Sequence, residues 1–228
     1  AVELFAKKLT PEEKEARLLG IPSYMHGLIL PQFSRTTHLK TPPKRIPLDW
    51  IVDVMIDFHP SKPWAVLFRA VDSRNFYYII SEIWESGSWK ALGEEIVRRL
   101  KGWGCRVNSV GIDPLAKGNA NTDLNEESVY DKLYDLFAKY GYTLKVASKE
   151  KESGITLIKE ALKTDNDMPA IFFFNNLART IFEIEGWMYD ENGKPLKEND
   201  DMMENLYRLM LIPTQYEEMD DEIEHVVE

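Results

Sequence analysis

Four carboxylates in this sequence stand where acids can converge on a divalent cation: Asp57, Asp113, Asp201 and Glu204. Asp57 and Asp113 each end a predicted strand and are followed by a turn, and Asp201 and Glu204 share one face of a predicted helix. Like charges this close are unfavourable unless a cation bridges them. An all-oxygen ligand set favours Mg²⁺ or Mn²⁺. Two such ions about 4 Å apart can activate a water and stabilise the leaving oxygen of a phosphodiester.

Each acid also has a structural interpretation when it is taken singly. Asp is common where a strand turns, and Asp200 is a good N-cap for the last helix. Asp53 is a rival for Asp57 because it points to the same face of the strand. It lies four residues back, about 13 Å away, so we expect Asp57 to be the residue in the crevice.

The elements that must position these acids follow from apolar periodicity and turn residues. Three strands joined by short turns predict an antiparallel meander, and strands alternate with helices after it. This order predicts an RNase H-like α/β fold with a mixed sheet, in which the first and fourth strands lie side by side and parallel. Their carboxyl ends then form the crevice. The predicted strands are 50–58, 64–71, 76–84, 106–112, 143–146 and 170–174, and the predicted helices are 89–101, 128–140, 154–162, 176–185 and about 200–211.

Composition and charge limit the function classes. The 228 residues carry a net charge of −10, and the segment 217–228 holds seven acids and no Lys or Arg. Residues 1–216 therefore carry only −3, which still allows a basic face. One cysteine, Cys105, excludes a disulfide framework and a zinc site built on several thiolates. No run of about 18 apolar residues predicts a transmembrane helix.

Three regions are predicted along the chain. Residues 1–48 comprise a helix over 9–20 and an irregular, proline-rich and basic lead-in, residues 49–213 form the α/β domain, and residues 214–228 form an acidic tail. The helix has Thr10 as N-cap and Pro11 at its first position. Because the sequence begins without Met or a signal peptide, it is expected to be a piece of a longer protein.

Several segments, in this order and spacing, together resemble a known family. The sequence is similar to the C-terminal nuclease domain of the large terminase subunit of tailed bacteriophages, over nearly the whole chain. The segments are Leu9–Gly20, Gly27–Phe33 with His38, the Asp57 strand, Gly111–Pro114, Lys149–Ile155 and Asn199–Arg208.

The resemblance implies an RNase H-like endonuclease that uses two Mg²⁺ or Mn²⁺ ions to cut concatemeric double-stranded viral DNA during packaging. Catalytic roles pass to Asp57, Asp113 and Glu204, with Asp201 as a further metal ligand. The family's last motif is usually Asp-His, two variable residues, Asp, Ala, then Arg-Tyr. Here Asp200-Asp201 replaces Asp-His, Glu204 replaces the last Asp, Asn205 replaces the small residue, and Tyr207-Arg208 reverses the usual order.

The resemblance also implies partners. They are double-stranded DNA, an ATPase motor domain in the full-length protein, a small terminase subunit and the capsid portal, with no membrane, in the cytoplasm of a host cell. The phosphate loop of such a motor is absent from this sequence, since Gly193-Lys194 is followed by Pro195. Candidate DNA-phosphate contacts are Lys117, Lys149 and Lys151.

Two other function classes stay open at this point. A Holliday-junction resolvase or a transposase-like nuclease would share the fold and the metal. A non-enzymatic module that docks on a portal or partner subunit would not need the carboxylate cluster. An actin-like ATP-binding fold shares the strand order but wants glycine-rich phosphate turns after the first strand, and the segment 59–63 has no glycine.

Overall fold

A seven-stranded mixed sheet flanked by helices organises the chain in the computed structural model, which describes residues 27–59, 61–118, 127–164 and 168–217. The order across the sheet is β1-β7-β4-β3-β2-β5-β6. Its strands are β1 Leu39–Lys40, β2 Ile51–Asp57, β3 Trp64–Val71, β4 Tyr77–Glu85, β5 Arg106–Ile112, β6 Leu144–Val146 and β7 Ile171–Phe174.

The predicted meander is confirmed, because β2, β3 and β4 pair antiparallel and all the other pairs are parallel. These strands are rich in β-branched and aromatic residues, and every residue of β3 is buried. The predicted side-by-side parallel arrangement of the first and fourth predicted strands is also confirmed, since β2 pairs with β5.

Six α-helices and one short 3-10 helix lie among the described residues. The helices are α1 Arg35–His38, α2 Trp89–Trp103, α3 Val129–Ala138, α4 Lys151–Leu162, α5 Ala178–Gly186 and α6 Asp201–Met210, and the 3-10 helix is Pro114–Lys117. Ser88 caps α2 through a hydrogen bond from the Ala91 amide, and Gly104, at φ 70°, ends that helix. No described helix has both the length and the apolar character needed to cross a membrane.

The lead-in segment differs from the prediction that it stands outside the core. Ile29 and Leu30 are buried, and the Ile29 amide donates to the Trp187 carbonyl at 2.9 Å. Leu39–Lys40 adds β1 to the sheet beside β7. Apolar stretches of two or three residues are too short to show a period, so the prolines and lysines around them masked this role. The predicted helix 9–20 lies outside the described residues.

The predicted acidic tail also begins later than expected. Thr214, its first predicted residue, is 3% exposed and hydrogen-bonds to Asp53 and Arg69. The Tyr216 amide donates to the Asn75 side chain. Residues 218–228, which hold most of the acids, lie outside the described part of the chain.

Candidate active site

Asp57 and Asp113 leave the sheet at the same edge. Asp57 is the last residue of β2, and Asp113 directly follows β5, its parallel neighbour. The pairing of Ile56 with Ile112 brings the two acids level, and the Asp113 amide donates to the Ile56 carbonyl at 2.9 Å. The chain then turns into the 3-10 helix, where the Leu115 amide donates to Asp113 Oδ1 at 2.6 Å.

Helix α6 is held beside this edge by Asn205, which replaces the small residue of the family motif. Its side-chain nitrogen donates to the Ala65 carbonyl at 2.9 Å, and Asn205 is fully buried. Ala65 is the β3 partner of Asp57. This hydrogen bond therefore places Glu204, the residue before Asn205, at the level of Asp57.

The N-terminus of α6 is capped from another helix. Asp200 occupies the N-cap position, yet its side chain makes no capping hydrogen bond. Glu183 of α5 instead accepts hydrogen bonds from the amides of Met202 and Met203, at 2.7 and 3.3 Å, and from Arg179 Nε at 2.6 Å. Burial raises the pKa of Glu183 to about 7 against the opposing effect of Arg179.

Asp57, Asp113 and Glu204 converge on one guanidinium, that of Arg208. Arg208 Nη2 donates to Asp113 Oδ2 at 2.5 Å and to Glu204 Oε2 at 3.0 Å, and Nη1 lies 3.3 Å from Asp57 Oδ1. The Arg208 side chain is 5% exposed. Acids from β2, from the turn after β5 and from α6 therefore share a single buried cation.

This environment shifts the acid–base properties of Asp57. Burial raises its pKa to about 7; Arg208 opposes the shift, and the charges of Asp113, Glu204 and Asp201 add to it. Burial opposes the charged form of Arg208, but the surrounding acids and Tyr207 still raise its pKa.

Two further cations face the remaining acids of α6. Lys151, at the start of α4, forms ion pairs with Glu204 Oε1 and, at 3.8 Å, with Asp200. Burial raises the pKa of Asp200. Arg179 Nη2 lies 3.9 Å from Asp201 Oδ2. Asp201 therefore contacts Arg179, not the Arg208 cluster, and Lys151, predicted as a DNA contact, lies against the acids.

Helices α4 and α6 approach each other closely at Gly154. A Cβ atom built on Gly154 would lie 2.7 Å from the carbonyl oxygen of Tyr207 and 2.8 Å from its Cβ. Such contacts are far shorter than ordinary van der Waals distances, so only glycine fits here without a shift. The contact lies one turn after Lys151 and one residue before Arg208.

Lys117 and Lys149 are exposed and follow adjacent strands. Lys117 ends the 3-10 helix after Asp113, and its ammonium lies 4.4 Å from the ring centroid of Tyr130. Lys149 follows β6, whose next residue, Ala147, donates to the carbonyl of Ile112 at 2.9 Å. Both lysines therefore stand at the carboxyl edge of β5 and β6, the edge from which Asp113 emerges.

Asp53, the rival candidate, has a different environment. It is fully buried and pairs with the equally buried Arg69 at 2.6 Å. Arg69 also donates to the carbonyls of Leu209 and Ile212, and Thr214 donates to Asp53 at 2.6 Å. Asp53 thus anchors the chain that leaves α6.

The two histidines weighed with these acids have structural contacts. Nδ1 of His59 accepts hydrogen bonds from the Ser61 and Lys62 amides in the turn after β2. His38 is buried and bonds the Ser34 amide and the Leu162 carbonyl. Cys105 is buried, and its thiol donates to the Pro47 carbonyl.

The donors at the Arg208 cluster suit a divalent cation of the magnesium class, since all are carboxylate oxygens that already converge on one positive charge. As they stand, no three His, Cys, Asp or Glu side chains of the described residues are arranged to hold a metal ion. The guanidinium of Arg208 lies among the three acids that come nearest to such a set. The residues fit the ion in type, with Arg208 as the resident cation.

Sequence reasoning did not assign roles to Arg208, Glu183 or Arg179. Arg208 had a readable signal, because it lies four residues after Glu204 and therefore on the same helical face. Glu183 and Arg179 reach α6 from another helix, a contact that no local spacing announces.

Comparisons with known proteins agree with this architecture. No protein-family model and no curated protein matches the sequence. Solved structures do match: the full-length large terminase of a thermophilic bacteriophage at a TM-score of 0.63 and 16% identity, over 81% of this chain and 45% of that one. The P22 large terminase nuclease domain matches at 0.58 and 22% identity, over 81% and 91%.

The large terminase nuclease of a second thermophilic phage, G20c, solved with bound magnesium, matches at a TM-score of 0.53 and 11% identity, over 81% of this chain and 96% of that one. The chain spans about half of the first of these large terminases but most of the two isolated nuclease domains. Sheet order, flanking helices and these likenesses lead to one conclusion: the chain has the RNase H-like fold of large terminase nuclease domains.

Proposed function

We propose that this protein is a metal-dependent endonuclease that cuts double-stranded DNA with little sequence preference, and that it does so during viral genome packaging. Asp57, Asp113 and Glu204 carry the chemistry, with Asp201 as a further metal ligand at the rim. The observation that carries the proposal is the convergence of those first three carboxylates, from three separate elements, on one buried cation.

Divalent ions bound at these oxygens, two Mg²⁺ or Mn²⁺, would supply an activated water and charge stabilisation of the leaving oxygen. The chain's own residues prepare the site for this. The Leu115 amide fixes Asp113 through Oδ1, and Asn205 fixes the height of α6 against β3. The raised pKa of Asp57 means that it binds a cation best once it has lost its proton.

DNA would approach the carboxyl edge of β5 and β6. Lys117 and Lys149 are exposed there, on either side of the turn that carries Asp113. Lysines at that edge can neutralise phosphates without contacting bases, which supports binding with little sequence preference. We place the ATPase motor, the small terminase subunit and the portal among the partners of the longer protein.

The test is an incubation of purified protein with supercoiled plasmid in Mn²⁺, in Mg²⁺ and in EDTA. We expect nicked and linear products only with metal. Asp57→Asn and Asp113→Asn should each abolish cutting while circular dichroism stays unchanged. Asp135→Asn, an exposed acid on α3, is the matched control and should cut normally.

A synthetic four-way junction in the same assay separates this function from a resolvase. Comparable cutting of linear duplex and junction supports the proposal, whereas strict dependence on the junction contradicts it. Full activity in a well-folded Asp113→Asn protein would remove the carboxylate site from the chemistry. No ATP hydrolysis is expected of this chain.

A further inference from the structure

Resting on the proposed function, we infer that Arg208 is a resident counter-ion that competes with the divalent cation: it holds Asp57, Asp113 and Glu204 together until metal binds, and metal binding displaces it.

The first argument is the number of oxygens left for a metal ion. Asp113 uses Oδ1 for the Leu115 amide and Oδ2 for Arg208. Glu204 uses Oε1 for Lys151 and Oε2 for Arg208. A cation therefore reaches the outward oxygen of Asp113 only if the Arg208 contact is given up.

The second argument is charge. Within the described part of the chain, Arg208 is the one cation in an ion pair with Asp57 or with Asp113. Glu204 has Lys151 as a second partner, and Asp201 has Arg179. Removing Arg208 would leave two buried acids facing each other without a counter-charge, a strongly unfavourable state that a divalent ion relieves.

The third argument is that Arg208 is incompletely bonded where it lies. Its Nε atom is buried and has no hydrogen-bond partner. A buried polar group without a partner destabilises its position, so withdrawal of the side chain towards water would restore a hydrogen bond to Nε. A divalent ion and a guanidinium cannot occupy neighbouring positions on the same oxygens without repulsion.

The experiment measures Mn²⁺ binding without DNA, by electron paramagnetic resonance of the free ion, together with melting temperature in EDTA. The proteins are the parent, Arg208→Met and Arg208→Lys, with Arg45→Met, an exposed arginine, as the matched control. We expect Arg208→Met to melt lower than the parent in EDTA, to bind Mn²⁺ at least tenfold more tightly, and to gain more from Mn²⁺ in melting temperature. Arg45→Met should match the parent.

The opposite result overturns the inference. If Arg208→Met binds Mn²⁺ no better than the parent, or more weakly, Arg208 organises the ligands and does not compete. Lack of Mn²⁺ binding by both proteins overturns it as well. If Arg208→Met does not fold, Arg208→Lys decides, because a shorter ammonium cannot span three carboxylates and should also bind Mn²⁺ more tightly.

The parent protein provides a check without any loss of the arginine. Guanidinium protons of a side chain only 5% exposed exchange slowly with water. Saturation with Mg²⁺ should speed the exchange of the Arg208 signal, assigned with Arg208→Lys, and persistent protection would contradict displacement. Mn²⁺ binding without DNA cutting would sink the proposed function while leaving this inference intact.

Discussion

Glu183 accepts a hydrogen bond from the amide of Met202 at 2.7 Å, so the helix that carries Glu204 and Arg208 begins on a side chain of another helix. The same carboxylate also accepts from Met203 and Arg179. The start of α6, and with it the height of the acid cluster, depends on α5.

Loss of this cap should loosen α6. We expect Glu183→Ala to lower the free energy of unfolding by about 2 kcal/mol, because a cap contributes about 1 kcal/mol and the buried amides lose their acceptor. Glu183→Gln, which keeps an acceptor oxygen, should lose less. Urea titration measures both, with Glu191→Gln in the exposed turn before Gly193 as control. Equal losses in the Ala and Gln variants would exclude a capping role.

The pH dependence of stability should report Asp57. Its pKa in the folded protein, about 7, lies above its ordinary value of 3.8, so the folded state binds more protons between these values. Asp57 therefore lowers stability progressively as pH rises from about 4 to about 7. In EDTA, Asp57→Asn should remove this slope and gain relative to the parent as pH rises. Parallel curves of unfolding free energy against pH for the two proteins would contradict the raised pKa.

Breaking the buried pair of Asp53 and Arg69 should be costly. Removal of one partner leaves an uncompensated buried charge, and such changes destabilise by about 3–5 kcal/mol. We expect Arg69→Met to fall in this range in chemical denaturation. The double change Asp53→Leu with Arg69→Met should lose less than the two single changes added together. Additive losses would mean that the two charges do not interact.

DNA binding should depend on salt through Lys117 and Lys149. Each phosphate contact adds about −0.9 to the slope of log affinity against log salt concentration. Replacing both lysines with alanine should flatten that slope by about 1.8, measured by fluorescence anisotropy on a linear duplex in EDTA. Lys139→Ala, an exposed lysine just after α3, should leave it unchanged. If the slope of the double variant equals that of the parent, the DNA lies elsewhere.

Local patterns were sufficient for much of the sheet and for two of the acids. The ends of β2 and β5 follow from apolar runs broken by Asp and a turn, and the parallel pairing of those strands places Asp57 beside Asp113. The predicted bounds of β5 match the structure to the residue, and those of α2 differ by two residues at one end. These features depend on neighbours in sequence.

The rest depends on contacts between distant residues. The grouping of the acids around Arg208, the cap from Glu183 and the anchor from Asn205 to Ala65 each join different elements. β1 escaped prediction for a related reason: a two-residue strand has no period of its own and forms because β7 offers an edge. Pattern analysis can name such residues but cannot pair them.

The close approach at Gly154 gives the site a tolerance of less than one methyl group. Lys151 lies one turn before this glycine on α4, and Arg208 follows Tyr207, which the glycine touches, on α6. A side chain at position 154 would wedge the two helices apart and draw Lys151 away from Glu204 while Arg208 stayed with it. The spacing between the two positive charges of the site is thus set by a residue that carries no charge and no side chain.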